Sequence, residues 1–242
     1  MFFRILKKDL KRKRTMNIII LLFVILATMF VASSVNNILT VMNGLDYYFD
    51  KAGLDCDYII TARATGEDSS MEALLDSEPS VTSYRVEPQL MVTNNHFNSD
   101  GEKILDFGNM GLILSIEEAQ LNYLDEKNDV ITGLKEGEVY ITGKPMRVSG
   151  LKAGDTIELT HSGTTLTLTV AGEGKDALLG SDFMSNPRFI IHPKDYETLL
   201  KNDTIRQHYS ANIYYVSTDD VDALKESLSD EMCITVVFRM AD

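Results

Sequence analysis

An uncharged, mostly apolar run of 20 residues, from Met16 to Val35, constrains this chain more than any other feature. The run contains no proline or glycine, and as an α-helix it would be about 30 Å long, which matches the hydrocarbon thickness of a bilayer. We therefore predict a transmembrane helix over residues 15–35, in the plasma or inner membrane of the cell. A cleaved signal peptide with "VASS" as its cleavage site is the alternative, although the apolar region of a signal peptide normally spans only about 7–15 residues.

Charge is distributed unevenly along the chain. Residues 1–14 contain seven basic residues and one acidic residue, whereas the remainder contains 16 basic and 35 acidic residues. Because positive charge beside a span is typical of its cytoplasmic end, we predict a cytoplasmic amphipathic basic segment over residues 1–14 and an extracytoplasmic location for residues 36–242. These basic residues either hold a short helix on the inner membrane surface or only set the topology. The acidic remainder argues against nucleic-acid binding, which requires clustered Lys and Arg.

An apolar stripe continues after the predicted span. Apolar residues recur there at intervals of three or four, which is typical of an amphipathic helix; they are Ile38, Val41, Leu45, Tyr48 and Ala52. We predict one helix from Met16 to Ala52 and a stalk over residues 36–56 that projects about 25 Å from the membrane. The stripe rests either on neighbouring helices or on the globular part of this same chain. Our hypothesis for the coupling contact of the stalk is the set Ile38, Val41, Leu45 and Tyr48.

The remainder, residues 57–242, alternates between short strands and short helices and predicts an α+β domain. Strand patterns occur at "DYIITA" (57–62), "VTSYRVEPQLMVT" (81–93), "GEVYITG" (137–143), "RFII" (188–191), "SANIYYVST" (210–218) and "MCITVVFRM" (232–240). We expect an interruption near Pro88, a turn-rich hairpin over residues 94–107, and a half-buried hairpin around "HSG" (161–163).

Helix starts are indicated by capping residues and by proline. Ser69 with Glu72, and Ser115 with Glu118, form capping boxes, so we predict helices that run from Ser69 toward Pro79 and from Ser115 to about Asp125. Two further helices are predicted, one with Pro193 in its first turn and one that carries Val221, Leu224 and Leu228. The predicted organisation is a porter-like α+β lobe from residues 57–93 and 210–240, with a β-rich lobe inserted over residues 94–209.

The sequence contains no catalytic or metal-binding motif. The four histidines, His96, His161, His192 and His208, are isolated, and we expect exposed polar roles for them. The segment "GEVYITGKP" resembles a phosphate-binding loop, but its glycine spacing is wrong and Pro145 replaces the Ser or Thr that would hold magnesium. We therefore predict no enzymatic activity and no cofactor in this chain. Cys56 and Cys233 either pair or remain two separate thiols.

The order of several segments resembles a known family. The basic opening "ILKKDLKRKRTMN", the span, the stalk, "DYIITA" and then "GLKAGDTIEL" followed by "TVAGE" are similar to the FtsX-like/MacB-like permeases of ABC transporters. The likeness covers nearly the whole chain. It implies a first transmembrane helix that continues into an extracytoplasmic porter-like domain, and a cytoplasmic ABC ATPase as a separate subunit. It also implies a second permease half or a homodimer partner.

The resemblance implies a function in which ATP hydrolysis inside the cell moves the outer domain. Exported peptides, drugs or lipoproteins are the cargo classes of the family, and the cargo of this chain stays open. The later spans of the family would lie beyond Asp242, so we expect the chain to be a fragment or a truncated member. A single-pass, membrane-anchored extracellular binding or sensor module is the alternative function.

Overall fold

The computed structural model describes residues 14–63, 69–99, 102–103, 110–176 and 186–228. The chain divides into two units, Met1–Tyr48 and Phe49–Asp242. The predicted segment before residue 14, the predicted strand over 232–240 and Cys233 lie outside the described residues.

A single long helix, α1, covers Arg14–Ala52 and is 39 residues long. Its length is about 58 Å. It contains a stretch that is long and apolar enough to cross a membrane, and a signal sequence can have the same length and composition. The continuous helix predicted from Met16 to Ala52 is confirmed. Helix α1 ends at Ala52 and does not continue to residue 56, because Gly53 adopts a left-handed φ of 69°. The amides of Gly53 and Leu54 then bond back to the carbonyls of Asp50 and Phe49, which closes the helix.

Ten strands of the second unit form one mixed sheet in the order β1-β10-β2-β5-β9-β6-β8-β7-β3-β4. Their bounds are β1 Tyr58–Arg63, β2 Val81–Val92, β3 Phe97–Ser99, β4 Glu102–Lys103, β5 Gly111–Ser115, β6 Glu138–Thr142, β7 Thr156–His161, β8 Thr164–Gly174, β9 Arg188–Ile191 and β10 Ser210–Thr218. The pairs β5–β9 and β6–β8 are parallel, and the other pairs are antiparallel. The α+β class is therefore confirmed, whereas the division into a porter-like lobe and an inserted lobe stays a prediction.

Five shorter α-helices among the described residues accompany the sheet, and the apolar faces of both layers form the core. The helices are α2 Ser69–Ser77, α3 Lys144–Ser149, α4 Pro193–Leu200, α5 Asp203–His208 and α6 Val221–Leu228. The largest cluster of buried apolar residues lies between the sheet and α4 and includes Phe97, Ile113, Phe189 and Leu199. A second cluster packs α2 and α6 against β1 and β10. These helices therefore cover the face of the sheet whose apolar side chains would otherwise meet water.

Two predicted features are wrong, and each has a local cause. No helix follows Ser115, because Ser115 is the buried last residue of β5 and its hydroxyl accepts from the Glu117 amide within a turn. Strand β2 continues through Pro88 without interruption. The Met91 amide donates to Tyr209 on the β10 side, so the Pro88 nitrogen faces the other side, where pairing with β5 begins only at Leu90. The missing N–H therefore costs no ladder bond.

The remaining patterns correspond to observed elements. Both hairpins are present, as β3–β4 and as β7–β8, and the segments predicted at residues 57–62, 137–143, 188–191 and 210–218 are strands. Helices α2, α4 and α6 occupy the predicted positions, with Pro193 in the first turn of α4. Strand β6 leads through Gly143 directly into α3, which begins at Lys144, so the segment "GEVYITGKP" is a strand followed by a helix.

Candidate functional site

The last turn of α1 is built into the fold of the second unit. Phe49 packs against a buried apolar cluster that includes Leu54 and Ile59. The Lys51 ammonium donates to the Asn128 carbonyl at 2.7 Å. Asn122 bonds to this turn twice, from its side chain to the Lys51 carbonyl at 3.0 Å and from its amide to the Ala52 carbonyl at 2.8 Å. These contacts fix the end of α1 within the domain.

The predicted coupling contact lies on α1 before this turn. Ile38 is 59% exposed and Val41 is 63% exposed, whereas Tyr48 is half-buried, with its ring centroid 5.5 Å from that of Tyr47. The side chain of Leu45 lies outside the described residues. Its role in coupling, together with that of Ile38, Val41 and Tyr48, stays a prediction.

An acidic cleft of about 450 Å³ opens in the second unit where β5 departs from β2. Its walls come from α2, β2, the turn after β5, α4 and the start of β10. The lining residues are Glu72, Val86, Pro88, Gln89, Ser115, Glu117, Glu118, Pro193, Tyr196, Glu197, Leu200, Ser210, Ala211 and Asn212. We call this site the acidic cleft.

Four glutamates dominate the electrostatics of the acidic cleft. Glu72, Glu117, Glu118 and Glu197 line it, and no Lys or Arg appears among the lining residues that the structure describes. Tyr196 contributes a largely buried ring, and burial, with the nearby negative charge of Glu118, raises the pKa of its hydroxyl. The acidic cleft can therefore attract positively charged groups and repel anions.

Two buried amides also belong to the walls of the acidic cleft. Gln89 is 1% exposed and donates through Nε2 to the Glu87 carboxylate at 2.9 Å. Because an ionised carboxylate only accepts, this bond fixes the amide orientation, and the Gln89 Oε1 atom has no partner in the described part of the chain. Asn212 is 9% exposed and bonds through Nδ2 to the Tyr214 hydroxyl at 3.3 Å.

A buried charge network adjoins the acidic cleft through Gln89. The Arg188 Nη1 atom lies 2.6 Å from Glu87 Oε1, and the Arg188 Nε atom lies 3.1 Å from Asp176 Oδ2. The hydroxyls of Tyr123 and Tyr215 donate to the same Glu87 oxygen. Burial raises the pKa of both tyrosines, so they stay protonated as donors. The network supplies the charge and hydrogen-bond partners that a buried Glu87 requires.

The network escaped prediction, although the sequence carried a signal for it. Glu87 lies within β2 and Arg188 begins β9, and both are buried charged residues in strands that also carry buried apolar residues, "RVEPQLMV" and "RFII". A charged residue at an inward position of a buried strand needs a partner of opposite charge. Glu87 and Arg188 are 101 residues apart, so their pairing could not be predicted without the strand order, which places β9 beside β5 and β5 beside β2.

The expectation of exposed histidines is wrong for His161. Its ring is 1% exposed, stacks on His96 with centroids 4.0 Å apart, and contacts the Met91 carbonyl through Nε2 at 3.1 Å. Burial lowers the pKa of both rings, and that of His96 falls to about 4. His208 is exposed, and His192 caps α4 by accepting from the Lys194 amide.

No group of three or more His, Cys, Asp or Glu side chains suited to a metal occurs among the described residues.

Cys56 is buried beneath the end of α1. Burial raises the pKa of its thiol to about 11, so the reactive thiolate is scarce near neutral pH. Its pairing with Cys233 stays open.

Comparisons with solved structures give distant structural matches to this chain. No protein-family model matches the chain, and no curated protein matches it. A 1.5 Å crystal structure of a Bacillus anthracis protein described as a "Putative Lipoprotein" is similar, with a TM-score of 0.44 and 10% sequence identity. The match covers 77% of this chain and 99% of that protein. This similarity is too weak to assign either a fold family or a function.

Proposed function

We propose that this chain is part of an ABC-transporter permease that couples cytoplasmic ATP hydrolysis to an extracytoplasmic domain. In this function α1 crosses the membrane with its N-terminus inside the cell, and the second unit lies outside. A separate subunit hydrolyses ATP, and a second permease half or a second copy of the chain completes the assembly. Peptides, drugs or lipoproteins are the cargo classes.

The observation that carries the proposal is the continuity of α1. One unbroken helix contains the apolar stretch and ends in a turn held by Phe49, Lys51 and Asn122. Because each turn of a helix is closed by backbone hydrogen bonds, a tilt or shift applied within the apolar stretch would reach this last turn. The anchored turn would pass that displacement to the loop over residues 122–128 and to the sheet beneath it.

A single-pass, membrane-anchored binding module is the second candidate function. The acidic cleft favours it, because a cleft of this volume lined by one sign of charge is suited to a small or peptidic ligand. Such a module requires the span only as an anchor. The two candidates therefore differ in whether an ATPase associates with the chain and responds to changes in α1.

The test is purification of the full chain from detergent-solubilised membranes of its native host. We expect a vanadate-sensitive ATPase subunit to copurify. Val41→Glu should alter the ATP turnover of this complex by about fivefold or more, a typical size for coupling between distant sites, without changing the unfolding midpoint of the outer domain. The matched control is Val148→Glu, which places the same charge at an exposed valine on α3.

Two results would overturn the proposal. The first is the absence of vanadate-sensitive ATPase activity from the purified complex, which would favour the anchored binding module. The second is an equal response to Val41→Glu and Val148→Glu, which would show that the stalk has no special part in coupling.

A further inference from the structure

We propose that the outer edge of β1 is the docking site for residues 232–240 of this same chain, which would add a strand antiparallel to β1. Residues 232–240 lie outside the described residues, so the inference rests on the elements that surround this edge and on the sequence of the segment. It does not depend on the proposed function, since an outer domain of either candidate class could be completed in this way.

The edge of the sheet at β1 is apolar and unpaired within the described part of the chain. β1 is the first strand in the sheet order, and β10 is its one partner there. Four of the six residues of β1 are buried, and its one charged residue is Arg63, at its end. Exposed edge strands present unpaired N–H and C=O groups, and natural proteins cover such edges or place charged residues along them. Because β1 has so little charge, we expect its edge to be covered.

The side chains of β1 alternate between two different faces. The buried cluster beneath α2 and α6 contains Tyr58, Ile60 and Ala62. Ile59 belongs to a separate cluster on the opposite face. The half-buried Thr61 and the exposed Arg63 follow Ile59 on that face. A strand beside β1 therefore needs one apolar face and one mixed face.

The sequence of residues 232–240, "MCITVVFRM", has this pattern. The apolar residues Met232, Ile234, Val236, Phe238 and Met240 alternate with Cys233, Thr235, Val237 and Arg239. An alternation of period two is typical of a strand, and the two sets match the apolar and the mixed face of β1. Only residues 229–231 separate the segment from Leu228, the buried last residue of α6. Three residues are an ordinary length for a connection between a helix and a strand.

The strand order favours the outer edge of β1 for a strand that follows α6. β1 and β2 run parallel to each other on either side of β10, with α2 as their connection. β10 runs in the opposite direction, and α6 packs on the same face of the sheet as α2. Because such crossovers are right-handed in almost all proteins, a crossover through α6 leads the opposite way, past β1. The strand after α6 would then run parallel to β10 and antiparallel to β1.

The length of α6 indicates where the segment would begin along β1. The eight residues of α6 cover about 12 Å, and residues 229–231 can add about 10 Å. The chain can therefore return from the end of β10 by the length of about six or seven strand residues. On β10 this distance leads from Thr218 back to about Asn212, which lies opposite Ala62. Cys233 would lie near this end of β1, on the face of Thr61 and Arg63.

The proposed pairing separates the two cysteines. Cys56 precedes β1, whereas Cys233 would lie beside the end of β1, about 20 Å away along the strand. A disulfide requires Cα atoms within about 7 Å of each other. We therefore expect Cys56 and Cys233 to remain separate thiols. Residue 240 would lie beside the start of β1, shortly after the last turn of α1.

The test is cysteine cross-linking of the full chain in mild detergent. Thr61→Cys and Arg63→Cys each place a thiol on the face of Cys233, and the register of the pairing selects which of them lies opposite it. After oxidation with copper phenanthroline, mass spectrometry of the unreduced tryptic peptides measures the disulfide to Cys233. We expect one of the two variants to form at least about tenfold more of this intrachain disulfide than the control. The control is Asp55→Cys, an exposed position before the other end of β1.

Several results of this experiment would overturn the proposal. They are a disulfide between Cys56 and Cys233 in the parent chain, equal yields from the control and the two variants, and no disulfide from either variant. A disulfide between two copies of the chain would show that the edge of β1 binds a second copy and not its own segment.

A pair of substitutions in the segment tests its two faces. Val236→Asp would place a carboxylate in the cluster beneath α2 and α6, so we expect the equilibrium constant of unfolding to rise by at least about tenfold. Thr235→Asp would place the same charge on the mixed face, and we expect a change of less than about threefold. Urea unfolding of the full chain measures both. Equal effects of the two substitutions would contradict the proposed docking.

Discussion

Glutamate occurs in two contrasting settings in the second unit of this chain. Glu87 is fully buried and surrounded by donors, whereas Glu117 and Glu118 are exposed in the acidic cleft and have no cationic partner among the residues that the structure describes. A buried carboxylate remains charged only if neighbouring groups replace the water that it loses. An exposed carboxylate keeps its water and therefore needs no protein partner to remain charged. The comparison separates charge whose partners are protein groups from charge that keeps its water.

Arg188 supplies the positive charge that buried Glu87 requires. Burial acts to lower the pKa of its guanidinium, but Tyr123, Asp176 and Glu87 raise it well above its usual value, so the charge is retained. Its Nη1 atom contacts Glu87, and its Nε atom lies beside Asp176. One cation therefore serves two buried carboxylates on different segments of the chain.

The largest expected effect is on folding stability after Arg188→Met. The methionine fills much of the same space but leaves Glu87 and Asp176 without their cation, and removal of one partner from a buried pair typically costs about 3–5 kcal/mol. Urea unfolding of the full chain in mild detergent, followed by far-ultraviolet circular dichroism, measures the free energy of unfolding.

The control for this change is Arg147→Met on α3. Arg147 pairs with Glu173 in a half-exposed setting. Pairs of this kind contribute about 0–1 kcal/mol, so a small loss is expected. Similar losses from the two variants would contradict the distinction between buried and exposed charge.

A smaller effect is expected from the stacked pair of His96 and His161. The pKa of His96 falls to about 4 on folding, from an ordinary value near 6.5, so the unfolded chain binds more protons at mildly acidic pH. Stability should therefore be lost as the pH falls from about 6.5 toward 4. The Thr93 amide donates to His96 Nδ1, and protonation of that nitrogen would break the bond.

His96→Gln should reduce the pH dependence of stability. Between pH 7.5 and 5.5, we expect the loss of unfolding free energy to be about 1 kcal/mol smaller in this variant than in the parent chain. The exposed His208→Gln is the control, and its pH dependence should follow that of the parent. An unchanged slope for His96→Gln would show that the pair does not resist protonation.

The sequence predicted much of the fold because the relevant signals were local. Alternating apolar residues marked the β7–β8 hairpin, turn-forming residues marked the β3–β4 hairpin, and Pro193 marked the start of α4. The spacing of apolar residues also indicated a helix that continues past the span to Ala52. Each of these features depends on contacts within a few residues, so periodicity and capping were sufficient.

Features that depend on distant contacts were missed. Ser115 has the sequence of a helix cap, but its pairing with Ile191 across β5 and β9 keeps it in a strand. His161 lies at a turn in sequence, yet His96 and Tyr209 cover its ring. The acidic cleft draws its walls from five parts of the chain, and only the strand order brings them together. The general acidity of the chain was visible, but its concentration at this place was not.

The smallest expected effect is on the free energy of unfolding after a substitution in the acidic cleft. Glu118→Gln removes one of several like charges without removing a partner, so we expect the free energy of unfolding to stay within about 0.5 kcal/mol of the parent, with any change toward greater stability. The same urea titration measures it. A loss of more than about 1 kcal/mol in the free energy of unfolding would show that the fold requires the charge of Glu118, as it requires that of Glu87. A neutral result would instead mean that the fold does not need this carboxylate, and that the acidic cleft can vary its charge independently of the core.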